Sequence, residues 1–344
     1  MSSVRNLVGL CLLGLLAGCA AQQEPLEHND PSKYSVVEDV LWSSPDGFDL
    51  TMNIYTPTSG RGAYPVLMIF HGGGWLINDK SIMQQMSKYV VSNGEYVVCN
   101  VDYRLLGDQG NTVTLDKIVG DVFGAVLWVK DNIAAYDGDP DQVAVTGDSA
   151  GAQLSAMVVN LGHRLSSEAY SEQSPAFTPA YLPVDVTPEQ AALNGDMTVQ
   201  AAVLSYGAFD LHNLGSGGFE TWKNPFWYMG GALPRGIFGD AYNVQTHPQL
   251  YKGVSPIHNI PALSERALPP QLLTVGSADT LTTPALVKDY LQQLRAAGHS
   301  AEYWEHQGRG HAFLDSRASF ADDATPALEV MLDFLNGVFY REEE

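Results

Sequence analysis

The stretch 143–154 constrains the fold of this chain more than any other part of it, and it reads Val-Ala-Val-Thr-Gly-Asp-Ser-Ala-Gly-Ala-Gln-Leu. An apolar run with β-branched residues, typical of a buried strand, ends at Gly147, and a helical pattern starts just after Ser149. Ser149 therefore lies on a sharp turn between a strand and a helix. Such a turn strains the serine backbone and projects its hydroxyl, and Gly147 and Gly151 leave room for it.

The position of Ser149 at the start of a helix adds a second property to this turn. The free N-terminal amides of the helix point at any anion that forms beside the serine. The pentapeptide Gly-Asp-Ser-Ala-Gly is short enough to arise by coincidence, and a glycine-rich turn that happens to contain serine is the alternative. The strand before it and the helix after it favour a nucleophilic serine.

Strand and helix patterns alternate on both sides of this turn. Buried strands are predicted at 66–70, 96–101, 143–147, 201–206 and 272–275, and helices at 81–91, 118–129 and 284–294. This alternation predicts an α/β fold with a mostly parallel central sheet flanked by helices. The run 66–70 is apolar throughout, which favours a central position in the sheet.

The two ends of the folded region have weaker patterns. Residues 36–42 and 48–55 are predicted as strands of a hairpin, the second of them antiparallel with one wet face. A last short strand is predicted at 302–304, and a terminal helix at 326–339.

One domain over 36–344 accounts for the pattern, since no Pro/Ser-rich linker divides the chain. The segments 163–198 and 210–268 are irregular and rich in proline or in glycine and aromatic residues. We expect both segments to form a lid that covers the Ser149 pocket.

Charge and cysteine content limit the partners of this protein. The net charge of −21 disfavours nucleic acid or an anionic membrane as an electrostatic partner and suits a soluble, exported protein or one from a salty environment. Cys99 lies in a predicted strand and is expected to be a buried small hydrophobe, with a cysteine nucleophile as the alternative.

The N-terminus has the pattern of a targeting segment. An apolar segment shorter than a membrane span ends in Leu-Ala-Gly-Cys and resembles the lipobox of bacterial lipoprotein signal peptides. This resemblance implies a signal peptide at 1–18, a lipidated Cys19 that anchors the protein to a membrane, and a tether at 19–35. Ala20, rather than Asp, after the cysteine implies the outer membrane. An ordinary cleaved signal peptide is the alternative.

A nucleophilic serine needs a base and an orienting acid, which follow it in the order Asp or Glu, then His, in this architecture. His311 is the favoured base because its Gly-Arg-Gly-His loop is flexible, and His306 is the alternative. His299 sits in a turn that is expected at the surface. Asp279 follows a predicted strand, where open α/β sheets place their chemistry. A helix-capping role before Pro284 is the alternative for Asp279.

A second loop supplies amides for an anion. Residues 71–75, His-Gly-Gly-Gly-Trp, follow the strand predicted at 66–70. The amides of Gly73, Gly74 and Ala150 would then form an oxyanion hole. A phosphate-cradling loop is the rival, but the Lys-Ser/Thr of a P-loop does not follow. With no HExxH motif or Cys/His cluster, neither a catalytic metal nor a cofactor is indicated.

Five motifs, in this order along the chain, resemble the α/β-hydrolase fold: 71–75, 102–105 (Asp-Tyr-Arg-Leu), 147–151, Asp279 and 310–313 (Gly-His-Ala-Phe). More narrowly, the chain resembles the hormone-sensitive-lipase-like carboxylesterases and the related acetylxylan and feruloyl esterases.

This resemblance implies a triad of Ser149, His311 and Asp279. It also implies the three oxyanion donors named above. The family often has Gly-Gly after the alanine of the serine motif, whereas this chain continues with Gly151 and Ala152, followed by a glutamine.

The expected function is therefore that of a serine esterase that works through an acyl-enzyme. Its expected substrates are small acyl or aryl esters or acylated carbohydrates. A serine exopeptidase or amidase of the same fold is one alternative. The other is a catalytically silent binding protein at the cell surface, although the broken triad expected of such a protein is not visible.

Overall fold

The computed structural model describes residues 29–168, 170–171 and 174–340, which form one central eight-stranded sheet. The strands are β1 Tyr34–Ser43, β2 Leu50–Pro57, β3 Tyr64–Phe70, β4 Val97–Val101, β5 Gly138–Asp148, β6 Ala201–Ser205, β7 Gln271–Gly276 and β8 Ala301–His306. Their order across the sheet is β1-β2-β4-β3-β5-β6-β7-β8. The pairings β1/β2 and β2/β4 are antiparallel and the others are parallel, so the predicted α/β architecture is confirmed.

Helices connect the parallel strands and pack against the sheet. They are α1 Gln84–Asn93, α2 Asp108–Asn111, α3 Leu115–Asn132, α4 Ala150–Leu161, α5 Pro188–Asn194, α6 Leu211–Ser216, α7 Pro225–Met229, α8 Pro248–Gly253, α9 Pro284–Ala296 and α10 Phe320–Phe339. Single 3-10 turns lie at Pro31–Lys33, Pro45–Gly47, Lys80–Met83, Ile133–Tyr136 and Pro256–His258. No helix within the described residues has both the length and the apolar character needed to span a bilayer.

The strand β3 lies in the middle of the sheet, as its apolar sequence predicts, and all seven of its residues are buried. The strand predicted at 48–55 is β2, and it is antiparallel as predicted, but the solvent-exposed face predicted for it is wrong, because six of its eight residues are buried. The exposed strand of the pair is β1, the edge strand, with one fully buried residue, Trp42.

The terminal helix α10 begins at Phe320, six residues before its predicted start, with Pro326 inside it. Proline has no amide hydrogen to donate to the carbonyl four residues earlier, which here belongs to Asp322. The guanidinium of Arg309 takes over this role and donates to the Asp322 carbonyl at 3.0 Å. A proline is therefore tolerated where the sequence pattern predicts a helix start.

The N-terminal predictions fall mostly outside the described residues. The signal peptide at 1–18, the lipidated Cys19 and most of the tether at 19–35 lie there. The tether boundary is late, because β1 begins at Tyr34 and the Lys33 carbonyl already accepts a hydrogen bond from the Thr58 amide at 2.8 Å.

The segment 163–198 packs on α3. The Ala180 amide donates to the Gly120 carbonyl at 2.9 Å. A Cβ atom at Gly120 would lie 2.3 Å from the Thr178 carbonyl oxygen, and one at Gly124 would lie 2.6 Å from the Tyr181 nitrogen. The two glycines of α3 therefore let this segment approach the helix backbone closely.

Candidate active site

Ser149 stands between the C-terminal end of β5 and the start of α4, with φ 50° and ψ −112°. This is a strained conformation for a residue with a side chain, of the kind that clusters at functional sites. A Cβ atom at Gly147 would lie 2.4 Å from the Gly151 carbonyl carbon, and one at Gly151 would lie 1.9 Å from the Phe70 carbonyl oxygen. Both glycines are therefore required, and the turn is anchored by the Ser149 amide, which donates to the Ser205 carbonyl at 2.9 Å.

The predicted acid, base and serine lie in one hydrogen-bonded chain. His311 Nε2 lies 3.0 Å from Ser149 Oγ, and His311 Nδ1 lies 2.7 Å from Asp279 Oδ2. An ionised carboxylate only accepts, so Nδ1 carries the proton and Nε2 is free to accept one from the serine hydroxyl. The chain can therefore remove the Ser149 proton and hold the resulting imidazolium beside a carboxylate.

Asp279 is buried, and both of its carboxylate oxygens take part in hydrogen bonds. Its Oδ1 accepts the amides of Leu281 at 2.8 Å and Thr282 at 3.0 Å. Burial opposes ionisation of the carboxyl, but the hydrogen bond and charge of His311 outweigh it and hold the pKa of Asp279 below its ordinary value. Asp279 thus receives local amides, as a capping residue would, while Oδ2 faces His311.

The sequence gives no signal for Thr282, yet its hydroxyl contacts the same chain. Thr282 Oγ1 donates to the Tyr206 carbonyl at 2.7 Å and lies 3.2 Å from His311 Nδ1. The Tyr206 ring packs edge-on against His311 at a centroid distance of 4.8 Å. Thr282 and Tyr206 therefore both contact the imidazole that lies between Ser149 and Asp279.

The predicted oxyanion amides lie at the end of β3 and the start of α4. None of the amides of Gly73, Gly74 and Ala150 donates to an acceptor within the described ranges. Gly73 has φ 119°, and a Cβ atom there would lie 2.2 Å from the Ile77 carbonyl oxygen. The loop conformation therefore requires glycine at this position and leaves its amides available to an anion.

The buried side chain of Asp148 supports this loop. Asp148 Oδ1 accepts the Gly72 amide at 2.6 Å, and a Cβ atom at Gly72 would collide with Asp148 Oδ2 at 2.3 Å. Burial and the nearby charge of Asp315 raise the pKa of Asp148 well above its ordinary value. Burial also raises the pKa of Asp315 to about 6. Neither carboxyl was singled out by the motif pattern, although Asp148 is part of it.

His71 and Tyr103 also stabilise the conformation of the loop. Their rings stack at a centroid distance of 4.3 Å, and the Tyr103 hydroxyl donates to the His71 carbonyl at 2.5 Å. His71 Nδ1 lies 2.7 Å from the Gly72 carbonyl, and burial lowers the pKa of His71. A neutral His71 that is bonded through Nδ1 and stacked on Tyr103 has a structural role in the loop.

Gln153, which follows the position where Ala152 replaces the second glycine of the family pattern, links three parts of the site. Its Oε1 accepts from Trp75 Nε1 at 3.0 Å, and its Nε2 donates to the Val254 carbonyl at 2.8 Å. The side chain is fully buried, so both bonds are made away from water. Gln153 therefore fixes the residue after Gly74 to α4 and to the end of α8.

Ser149 and His311 open into a cavity of about 540 Å³. Its walls include Trp75 and, from the residues 208–233 that we call the roof, Phe219 and Phe226. We call the strand-end residues that carry Ser149, the Gly72–Gly74 loop, Asp279 and His311 the floor.

The expectation that 163–198 also covers this pocket is wrong for the described residues, none of which lines it. The residues 191–200 instead border a separate cavity of about 720 Å³, which shares no lining residue with the first. The segment is held away from Ser149 by its close packing on α3, described above.

The other candidate residues lie elsewhere. His306, the alternative base, is bonded through Nε2 to the Asp323 carbonyl at 2.8 Å. His299, expected at the surface, is buried with Nε2 at 2.7 Å from the Pro261 carbonyl, because the segment 261–268 packs on its turn. Cys99 is buried in β4, and burial raises the pKa of its thiol. The described residues contain no group of His, Cys, Asp and Glu side chains that could hold a metal ion.

The sequence profile of the BD-FAE family matches residues 52–294, which is more than half of the chain. The chain belongs to the BD-FAE family. The match includes the Gly72–Gly74 loop, Ser149 and Asp279, whereas His311 lies beyond the matched range.

Relatives in sequence have names that agree with the predicted resemblance, which is confirmed at the level of the family. Esterase LipQ of Mycobacterium tuberculosis is 28% identical over 323 residues, which cover 93% of this chain and 63% of LipQ. Carboxylesterase NlhH of the same species is 33% identical over 113 residues, which cover 33% of this chain and 34% of NlhH. The chain thus spans between a third and two thirds of the length of these relatives.

Solved structures confirm the α/β-hydrolase fold. A thermophilic esterase from Thermogutta terrifontis with bound propionate superposes with a TM-score of 0.64 at 21% identity, covering 91% of this chain and 97% of that one. The apo form of esterase 2 from the same organism gives a TM-score of 0.64 and covers 92% and 98%.

Proposed function

We propose that this protein is a carboxylic ester hydrolase that works through an acyl-enzyme. Ser149 attacks the ester carbonyl while His311 accepts its proton, and Asp279 stabilises the imidazolium. The single observation that carries this proposal is the chain of 2.7 Å and 3.0 Å contacts from Asp279 through His311 to Ser149. The esterase names of the relatives support the same reaction class.

The oxyanion of the tetrahedral intermediate would be bound by the amides of Gly73, Gly74 and Ala150. Amides that are already fixed and lack a protein acceptor stabilise developing charge without reorganisation. His311 then donates its proton to the leaving alcohol, and water, activated by the same imidazole, attacks the acyl-Ser149 carbonyl to release the acid and the free serine.

The test of this function is the hydrolysis of p-nitrophenyl acetate by the wild type and by Ser149→Ala. We expect the variant to lose about 10⁴-fold or more of kcat, since the nucleophile is removed. Ester hydrolysis at the wild-type level in Ser149→Ala would disprove the assignment. An aminoacyl p-nitroanilide assayed in parallel separates esterase from exopeptidase or amidase, and amide turnover without ester turnover would favour the latter.

For the substrate we propose small acyl or aryl esters, including those of sugars and phenols. The cavity of about 540 Å³ is of a size that takes small ligands, and Phe219 and Phe226 offer ring faces in its wall. A panel of p-nitrophenyl esters from acetyl to decanoyl, together with acetylated xylan and methyl ferulate, tests this range. Equal rates for all acyl lengths would argue against a cavity that binds the acyl group.

For localisation we propose an exported lipoprotein anchored to the outer membrane through Cys19. The motif Leu-Ala-Gly-Cys and the polar residues after it support this proposal. Cys19→Ser should release the protein into the soluble fraction, and unchanged membrane retention would count against the anchor.

A further inference from the structure

The wall of the Ser149 cavity contains a charged side chain that the proposed reaction does not use. It is Lys223, which lies in the roof just before α7. In the whole chain Asp and Glu number 39 and Lys and Arg 18. Within the part of the chain that the structure describes, however, no carboxylate residue lines this cavity. The fixed charge of the cavity wall is therefore opposite in sign to the charge of the protein.

The ammonium group of Lys223 is available to a ligand. Among the described residues, Lys223 Nζ has no hydrogen-bond or ion-pair partner. Lys80 and Lys288, in contrast, pair with carboxylates at 2.6 Å and 2.9 Å. A Cβ atom at Gly218 would lie 3.9 Å from Lys223 Cδ, so the aliphatic stem runs along the part of the wall that Gly218 forms.

Most other polar side chains of the wall already form hydrogen bonds within the protein. Asn224 caps α7 through the Phe226 amide and donates to the Phe219 carbonyl, both at 3.1 Å. Thr282 is bonded to the Tyr206 carbonyl. Lys223, with the exposed side-chain amide of Asn213 on the same wall, is therefore the group best able to orient a polar substituent of a substrate.

We propose that the cavity selects esters that carry an ionised carboxylate in addition to the ester group, and that Lys223 binds this carboxylate. This inference rests on the proposed hydrolysis of esters at Ser149. An ammonium–carboxylate contact is a charge-assisted hydrogen bond, stronger than one between neutral groups. Lys223 is exposed at the cavity wall, so we expect a contribution no larger than that of a well-placed exposed ion pair. The net charge of −21 repels anions at long range, but at about 0.15 M salt this repulsion is screened beyond about 8 Å.

The test compares matched pairs of neutral and anionic esters. On the acyl side the pair is p-nitrophenyl hexanoate and the p-nitrophenyl monoester of adipic acid. On the alcohol side the pair is p-acetoxybenzamide and p-acetoxybenzoate. The readout is the ratio of kcat/KM for the anionic ester to kcat/KM for its neutral partner, measured for each variant. A change that affects both esters equally cancels in this ratio.

We expect Lys223→Gln to lower this ratio about fivefold to tenfold in at least one pair and Lys223→Glu to lower it further. Lys223→Arg should keep most of the ratio, and added salt should lower it in the wild type but not in Lys223→Gln. Lys252→Gln is the control, since it makes the same charge change at a residue that does not line the cavity. Ratios that are equal in the wild type, Lys223→Gln and Lys223→Glu for both pairs would overturn the inference. Loss of the proposed function itself would show separately, as neutral-ester hydrolysis that does not depend on Ser149.

Discussion

The floor and the roof of the Ser149 cavity are built in opposite ways. In the floor, Asp279 and Asp148 are buried and each accepts backbone amides at fixed distances. In the roof, Trp222 is 66% exposed and Tyr228 81% exposed. The floor is held by the ends of the four strands β3, β5, β7 and β8, which fix the relative positions of its reacting groups. The roof is held mainly by local turns and offers the variable surface that a substrate meets.

The largest effect is expected from a change in the floor that preserves its shape. Asp279→Asn presents an amide to His311 and favours the wrong imidazole tautomer, so we expect kcat to fall about 10⁴-fold with little change in structure. Steady-state kinetics and circular dichroism measure the two effects. Asp289→Asn, at an exposed position of α9, is the matched control. Retention of a tenth of the activity in Asp279→Asn would show that Asp279 does not orient the base.

The oxyanion loop gives the next effect. In Gly73→Ala the added methyl would lie 2.2 Å from the Ile77 carbonyl oxygen, so the loop must shift. We expect kcat to fall about 10²- to 10³-fold, as for the loss of one oxyanion donor. Gly62→Ala is the control because Gly62 also has positive φ but no atom within 4 Å of the added methyl. A similar loss of kcat in both variants would show that the Gly72–Gly74 loop has no special role in catalysis.

Gln153 joins the floor to α8, which packs against α6 of the roof. Gln153→Met keeps the volume but leaves Trp75 Nε1 and the Val254 carbonyl without partners. Each unsatisfied buried group costs about 1–3 kcal/mol, so we expect the free energy of unfolding to fall by about 3 kcal/mol. Urea denaturation measures this change, with Gln307→Met at an exposed position as the control. Equal stabilities would mean that the two regions are not coupled through Gln153.

Much of the floor could be predicted from the sequence, and little of the roof. Ser149, Gly73, Asp279 and His311 each follow a strand in a short motif, and strand ends meet at one edge of a parallel sheet. The supporting roles of Thr282 and Gln153 could not be predicted, because both side chains bond to groups far away in sequence. The roof has no periodic pattern, so the sequence located it as a segment but did not assign its lining residues.

Contacts between residues that are far apart in sequence also explain two structural predictions that are wrong. The segment 163–198 packs on α3 through Gly120 and Gly124, which the helical pattern does not distinguish from ordinary glycines. The start of α10 is missed because Arg309 satisfies a carbonyl that Pro326 leaves free. Both outcomes depend on contacts between distant parts of the chain.

The carboxyl of Asp315, whose charge acts on Asp148, makes the stability of the protein depend on pH. Burial raises its pKa to about 6 in the folded protein, so the folded state binds the proton more tightly than the unfolded state. Stability contributed by this proton is present below about pH 4 and is lost as the pH rises through 6. Asp315→Asn should therefore gain about 1–2 kcal/mol relative to the wild type between pH 4 and pH 7. Thermal or urea unfolding at both pH values measures this gain, and a pH-independent difference would contradict it. Asp148, His311 and Arg317 are the charged or titratable neighbours that modulate the effect.

The smallest effect is expected at the exposed surface of the roof. Trp222→Ser removes an exposed ring, and we expect the free energy of unfolding to change by less than about 0.5 kcal/mol. Trp227→Ser is the matched variant five residues away, where the ring is fully buried and donates to the Phe219 carbonyl at 2.8 Å. It should cost about 3–5 kcal/mol. A large loss in Trp222→Ser would show that the roof packs like the floor.

Covalent labelling of Ser149 tests the central claim most directly. Diethyl p-nitrophenyl phosphate transfers its diethylphosphoryl group to an activated serine and releases p-nitrophenol. We predict that peptide mass spectrometry finds one such group, on Ser149, in step with the loss of esterase activity, and that His311→Gln slows the labelling by orders of magnitude. Complete inactivation with the label on another residue, or equal labelling rates in the wild type and His311→Gln, would contradict the account.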